Sequence, residues 1–465
     1  MPGLSLGISS VMRAMQAEQV AIDVTGNNVA NATTTGYSRQ ITEIVSTDPV
    51  SDPTLLPAGS GQLGTGATVG SITRAHDAFV EQQTVYQNSQ QSQRQATNTT
   101  LTNVTQLFNE PTTEGFSSLL SGFFTSWQSL ANDPTDSGAQ SSVLAAGEQL
   151  ATGFNSVASS LTSMQSDENT QVGSTVTQIN GITSQIGTLN QQITEVQAIG
   201  QSPNDLEDTR DQLLSKLSNL VGVQYNVSAS GAMNISLTGG GALVQGTSSF
   251  ALATTPDATN PQFSDVTFAG STDPVTISGG TLGGALVDRD STIQSRLDDL
   301  NSLAANVASA VNTIHESGYG SNGATGLDFF TGTTAGSIAV NPTIVGDATN
   351  IAAAATANAP SDGSVALQIA QLAENVPANQ TTTLDAQYNS VITQLGVDSQ
   401  QMQSNVDTGT QVLQQLNDQQ SSVSGVNTNE ESSNLVTYQN AYTAAAKVIS
   451  IMENCISDMI SDMMS

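Results

Sequence analysis

Two seven-residue apolar ladders, one at each end of the 465-residue chain, constrain its fold more than anything between them. Near the start, Ile8, Met15, Ile22 and Val29 recur at every seventh residue, with Leu4 and Val11 offset to the same side. Near the finish, Leu435, Tyr442, Ile449, Ile456 and Met463 repeat likewise, interleaved with Tyr438, Ala445, Met452 and Met459. Spacings of three and four within a heptad gather side chains on one helical seam, as in a coiled coil. Two such seams predict terminal helices paired in one coiled-coil layer. These fifteen residues are the predicted assembly interface.

The rest of the sequence excludes several functions. A formal net charge of −31 with only nine Lys and Arg leaves no basic cluster for a phosphate backbone, so nucleic acid is excluded. Anionic membrane surfaces are disfavoured for the same reason. No apolar run approaches transmembrane length, so no membrane insertion is expected. The opening MPGLSLGISSVMRAMQAEQ has neither a basic n-region nor an unbroken h-region, so any export needs no cleaved signal. Charged residues make up only 11%; the polarity comes from Ser, Thr, Gln and Asn, which suits packing against further copies.

Nothing reads as a reaction centre, and the chain is not expected to be an enzyme or to hold a cofactor. The two histidines, His76 and His315, are far apart, and the lone cysteine is Cys455, so a zinc site is not expected. Cys455 lies beside the C-terminal seam and reads as a packed small residue. His315 falls at a helix end, where the dipole favours a cation. Asp205, Glu207 and Asp208 read as first-turn carboxylates of a helix, with SPND (202–205) supplying its turn and cap. The GGG at 239–241 lacks the spacing and the Lys of a phosphate loop and reads as a hairpin turn.

The fold class is multidomain and mainly α, with a β-rich insertion. Residues 4–32 form the first helix, followed by a connector with strand pieces at Gln40–Val45 and Ala67–Ile72. Helices run from about Ala75 to Leu220, with a break at Glu110–Thr113. Phe116, Leu119, Leu120, Phe123, Phe124 and Trp127 form a bundle-packing face there, and Val143–Ile199 reads as two or more helical segments. From Val221 the period switches to two, predicting antiparallel strands to about Val287. A helix with Ile293, Leu297, Leu300, Leu303, Val307, Val311 and Ile314 on one face follows. Residues 384–426 are helical, and the last helix starts after Asn429-Glu430-Glu431.

This gives a terminal coiled-coil domain from 1–47 plus 427–465, with its connector. An elongated helical-bundle domain takes 48–221, 288–317 and 361–426. An outer antiparallel β domain takes 222–287, and 318–360 is a Gly/Ala-rich region of short strands.

The segment DVTGNNVANATTTGYSRQ (23–40) resembles the N-terminal motif of the axial proteins of the bacterial flagellum. Its matching positions are Asn27, Asn28, Asn31, Gly36 and Tyr37; Thr35 stands where many relatives carry Pro. The YSRQ ending is closer to the hook-associated protein 1 branch than to hook or rod proteins. NLVTYQNAYTAAAKVIS (434–450), with Tyr438, Gln439 and Tyr442, is similar to the C-terminal signature of the same branch. NDLEDTRDQLLSKLS (204–218) and the region from GGTLGG to the GxxGxxFF at 323–330 resemble its interior.

The resemblance implies a structural protein forming a homo-oligomeric ring at the hook–filament junction, needed for motility. Its implied partners are the hook protein, the second junction protein, the flagellar type III export apparatus and a cytoplasmic chaperone on the C-terminal helix. The alternatives are another axial protein, hook or distal rod, and a secreted acidic adhesin.

Overall fold

The computed structural model describes residues 2–50, 62–108 and 115–464, with side chains from Leu4 onward. The break read at Glu110–Thr113 lies outside the described residues. Helix α1 (Pro2–Ala30) leads into strands β1 (Gln40–Ser46) and β2 (Ala67–Arg74). Helices α2 (Ala78–Phe108), α3 (Phe116–Asn132), α4 (Ser137–Ala198) and α5 (Asn204–Leu220) follow. Strands β3 (Val223–Val227), β4 (Met233–Leu237), β5 (Ala242–Gln245), β6 (Ser248–Ser249), β7 (Leu252–Pro256) and β8 (Ser264–Phe268) come next.

Helix α6 (Gly280–Val287) runs through a π-turn at Asp288–Thr292 into α7 (Ile293–His315). Short strands β9 (Tyr319–Gly320), β10 (Phe330–Thr331) and β11 (Ala339–Val340) precede α8 (Pro342–Gly346) and β12 (Ala352–Ala354). The chain closes with α9 (Ser364–Ala370), α10 (Leu384–Ser424) and α11 (Thr428–Met464). No helix among the described residues is long and apolar enough to cross a membrane.

Two compact units emerge. One comprises residues 1–89, 178–252 and 410–465; the other comprises 90–177 and 253–409.

In the first unit, α1 packs along α11 and also contacts β1 and β2, which pair antiparallel with Gln40 opposite Arg74. Strands β3 to β6 form an antiparallel meander. Alternation works as expected in β4, where Met233, Ile235 and Leu237 are buried and Asn234 and Ser236 only half so. The GGG closes the β4–β5 turn, with Gly240 N–H on the Leu237 carbonyl.

The second unit is built around the aromatic face of α3. Phe116, Leu120, Phe123, Phe124, Trp127 and Leu130 are all buried, at the spacing of one helical stripe. Phe123 meets Phe329 and Phe330 at 5.7 and 5.4 Å between ring centroids, and Phe116 meets Phe154 at 4.5 Å. The predicted packing role of this cluster is what the structure shows.

Several expectations need correction. The run read as two or more segments at 143–199 is one unbroken 62-residue helix, α4. It contains no proline, and Gly147, Gly153 and Gly187 are close-packed. At Gly147 a Cβ would lie 2.8 Å from the Phe329 ring, so the small residue permits close approach and does not mark a break. The strand pattern read as far as Val287 ends earlier. Val275 N–H donates to the Val266 carbonyl, and the chain then turns helical at Gly280. Helix α11 begins at Thr428, before the acidic pair, because the Asn427 side chain accepts from the N–H groups of Asn429 and Glu430. Cys455 is exposed, one residue off the seam, and does not pack beside it.

His315 is also corrected. It is fully buried, its Nδ1–H donating to the Leu327 carbonyl at 2.6 Å and its Nε2 accepting from Ala352 N–H at 3.0 Å. The bond accepted by Nε2 requires the neutral ring, and burial pushes its pKa down from 6.5. A lowered native pKa means the unfolded chain binds the extra proton first, so this stabilisation is complete above about pH 6.5. It is lost as pH falls through the native value, no faster than about 1.4 kcal/mol per pH unit.

Asp288, pushed up to about 6 by burial and Glu168, titrates with the opposite sign, so total stability hides the effect. Thermal unfolding of wild type and His315→Gln between pH 7.5 and 5 isolates it. The stability gap between them should shrink on acidification; a constant gap would contradict the neutral-ring assignment.

Candidate assembly interface

The predicted ladders lie where α1 and α11 run together, but they are not the most buried stripe. On α1 the fully buried positions are Ala17, Ala21, Thr25 and Asn28. Leu4, Ile8, Val11, Met15 and Ile22 are half-buried, and Val29 is 42% exposed. Small side chains sit innermost because α1 is covered on two sides, by α11 and by the β1–β2 hairpin. On α11, Leu435, Tyr438, Tyr442, Ala445, Ile449, Met452 and Ile456 are half-buried, and Met452 faces Gly7. Met459 and Met463 are exposed, as are Val436, Val448, Ile451 and Ile460 on the other faces. Apolar surface therefore remains uncovered on the C-terminal helix.

The motif beside the first ladder is built around Asn28. Its side-chain oxygen accepts from the Tyr37 hydroxyl and from Gln40 N–H, both at 2.9 Å. Its amide donates to the Gln40 carbonyl at 2.9 Å and to Glu431 Oε2 at 3.0 Å. The amide thus pairs with Gln40 as a neighbouring strand would, and spends its last donor on a buried carboxylate at the start of α11. Arg39 lies 3.5 Å from Glu430 and 3.9 Å from Glu431, and its N–H donates to the Ser424 carbonyl. One short segment joins the end of α1, the end of α10 and the first turn of α11.

Gly36 supplies the turn. Its φ of 78° is left-handed, and a Cβ there would collide with Gln212 on α5. Asn31 caps the exit of α1, bonding the Asn27 side chain at 2.8 Å and its carbonyl at 3.1 Å. Burial and the nearby Asp205, Asp208 and Glu431 push the Tyr37 hydroxyl up to about 12, so it stays a donor to Asn28. Tyr438 and Tyr442 are half-buried on α11 and Gln439 is exposed, so the C-terminal motif residues lie along the seam, apart from the Asn28 network.

The flagellar hook-associated protein FlgK helical domain matches residues 101–330. The flagella basal body rod protein family matches residues 8–37, and the flagellar basal body rod FlgEFG protein C-terminal family matches 418–462. Flagellar hook-associated protein 1 of Bacillus subtilis (strain 168) is 29% identical over 98% of both chains. The chain belongs to the hook-associated protein 1 family. The Escherichia coli (strain K12) member is 30% identical over 70% of this chain and 59% of its own length. The flagellar hook junction protein from Burkholderia pseudomallei shares the fold, with a TM-score of 0.65 at 20% identity. That match covers 74% of this chain and all of the other.

In this hook-associated protein Asp205 and Glu207 sit in the first turn of α5 as expected, but the carboxylates there do more than begin a helix. Neither they nor Asn204 provides a side-chain cap. Asp205 accepts from Gln40, Asp208 from Ser38 N–H, and Asn204 donates to the Ile72 carbonyl. Arg74, at the end of β2, meets Glu207 at 3.0 Å, Asp208 at 2.6 Å and Asp211 at 2.7 Å. Beside them His76 Nε2 lies 3.2 Å from Glu81 Oε2, which also accepts from the Tyr225 hydroxyl at 2.9 Å. Burial, then the charge of Asp211, pushes Glu81 up to about 7.

These partners were not legible from spacing. The one signal was scarcity: with seven arginines in so acidic a chain, an arginine such as Arg74 can gather several carboxylates.

Proposed function

We propose that copies of this chain form the ring that joins the flagellar hook to the filament. In this reading each copy is exported without a cleaved signal by the type III apparatus. A cytoplasmic chaperone covers the C-terminal helix beforehand, and the ring then contacts the hook protein on one side and the second junction protein on the other. The half-buried ladders Leu4 to Val29 and Leu435 to Met463 are the proposed assembly interface. The observation that carries this is the Asn28–Glu431 clasp beside an α11 that leaves Val448, Ile451, Met459, Ile460 and Met463 exposed. The chain invests a buried asparagine with all its hydrogen bonds made in holding its two ends side by side, while leaving apolar surface that a neighbouring copy would cover.

A strain lacking this protein should keep its hooks, carry no filaments and shed flagellin monomers into the medium. Electron microscopy and analysis of the medium check both halves, and the restored gene should return filaments. Loss of the hooks themselves would favour a hook or rod role. Normal filaments would overturn the reading.

A further inference from the structure

We propose that His76, Glu81 and Asp211 form a binding site for one divalent transition-metal cation of the zinc type. The three residues come from the loop after β2, the first turn of α2 and the middle of α5, all within one compact unit. One ligand atom from each lies within 4.8 Å of the others. His76 Nε2 and Glu81 Oε2 are 3.2 Å apart. That is close to the roughly 3.3 Å edge of a tetrahedron with metal bonds of about 2.0–2.1 Å. Imidazole with carboxylate oxygens suits zinc, cobalt or nickel better than calcium or magnesium.

Charge supplies the second argument. The site gathers four carboxylates, the ligands Glu81 and Asp211 with Glu207 and Asp208, against two guanidiniums, Arg74 and Arg210, a difference of two negative charges. The side chains of Arg210, Asp208 and Arg74 are 3%, 7% and 9% exposed, so water screens this imbalance poorly. A divalent ion would match the deficit. Arg74 already spreads over three carboxylates, so Asp211 has an oxygen to turn toward the ion. His76, a third exposed, leaves a path from solvent. Bound there, the ion would pin the connector to α5.

The test uses the full chain in a Cys455→Ser background, since that exposed thiol would bind zinc on its own. Calorimetric titration with zinc chloride should give one saturable site, and cobalt should give the visible absorption of a low-coordinate ion. His76→Ala and Asp211→Asn should each weaken zinc binding at least tenfold. In the background protein zinc should raise the unfolding temperature, and in His76→Ala it should not. Asp211→Asn alone also loosens Arg74, so unchanged circular dichroism in His76→Ala is the control for folding. Absence of saturable zinc binding, or equal affinity in the background protein and His76→Ala, overturns the proposal.

Discussion

An Asn28→Asp variant should lose about 3–5 kcal/mol of stability in the unit that carries the two chain ends, and cells bearing it should be non-motile. Asparagine and aspartate have nearly the same shape, so packing is untouched and the difference is electrical. The side-chain oxygen that accepts from Tyr37 and Gln40 is kept. The amide that donates to the Gln40 carbonyl and to Glu431 becomes a second acceptor. Two carboxylates then face each other about 3 Å apart at positions 1% and 3% exposed, where water cannot screen them. Breaking a buried charged network in this way costs on the order of 3–5 kcal/mol. Asn28→Ala removes the bonds without adding a charge and should cost less, roughly 1–3 kcal/mol for the groups left unpaired.

The cycle with Glu431→Gln separates the two effects. In the double variant Asn28→Asp/Glu431→Gln, the new amide at 431 donates to the carboxylate at 28, and much of the loss should return. Urea unfolding of all four proteins gives the coupling energy. A loss below about 0.5 kcal/mol in Asn28→Asp, or no recovery in the double variant, would show that the Asn28–Glu431 bond does not hold the ends together.

This bond also marks what sequence reading reaches. The GNNVAN and GYSRQ segments were visible as a motif, and the α1 and α11 helices follow from their ladders. The strands of the β3–β6 meander follow from alternation, and the α3 face from the spacing of its aromatics. Each of those signals is local. The partner of Asn28 lies 403 residues away, and the partners of Arg74 lie 133 to 137 residues away. No periodicity connects such positions.

Local signals failed in a second way where they count apolar bulk. The innermost stripe of α1 is Ala17, Ala21, Thr25 and Asn28, small or polar residues that carry no weight in a heptad count. The larger ladder residues beside them end up half-covered. Local signals also missed the continuity of α4, where Gly147 is a close contact with Phe329, and the setting of His315, whose two backbone partners override the helix dipole.

The half-covered ladder leads to the other large expected effect. Ile449→Asp should abolish filament attachment, leaving hooks intact and flagellin in the medium, while residues 90–177 and 253–409 stay folded. Ile449 is half-buried on α11, so an aspartate there forfeits about 1.5–3 kcal/mol of apolar burial and sets a charge in an apolar seam. Every copy in a ring would carry that penalty, and a closed assembly multiplies it. Ile22→Asp should act the same way from the α1 side.

Neither variant alone separates pairing within one chain from packing between chains, and Ile451→Asp does. Ile451 is 55% exposed, so its replacement should leave the unfolding of the isolated protein unchanged. If a neighbouring copy covers that face, assembly should fail all the same. The cellular location of the variant matters too. Protein found in the medium but not on hooks points to the ring interface, whereas protein retained in the cell points to the chaperone or export step acting on the same helix. Normal filaments from both Ile449→Asp and Ile451→Asp would refute the assignment of α11 as an assembly surface.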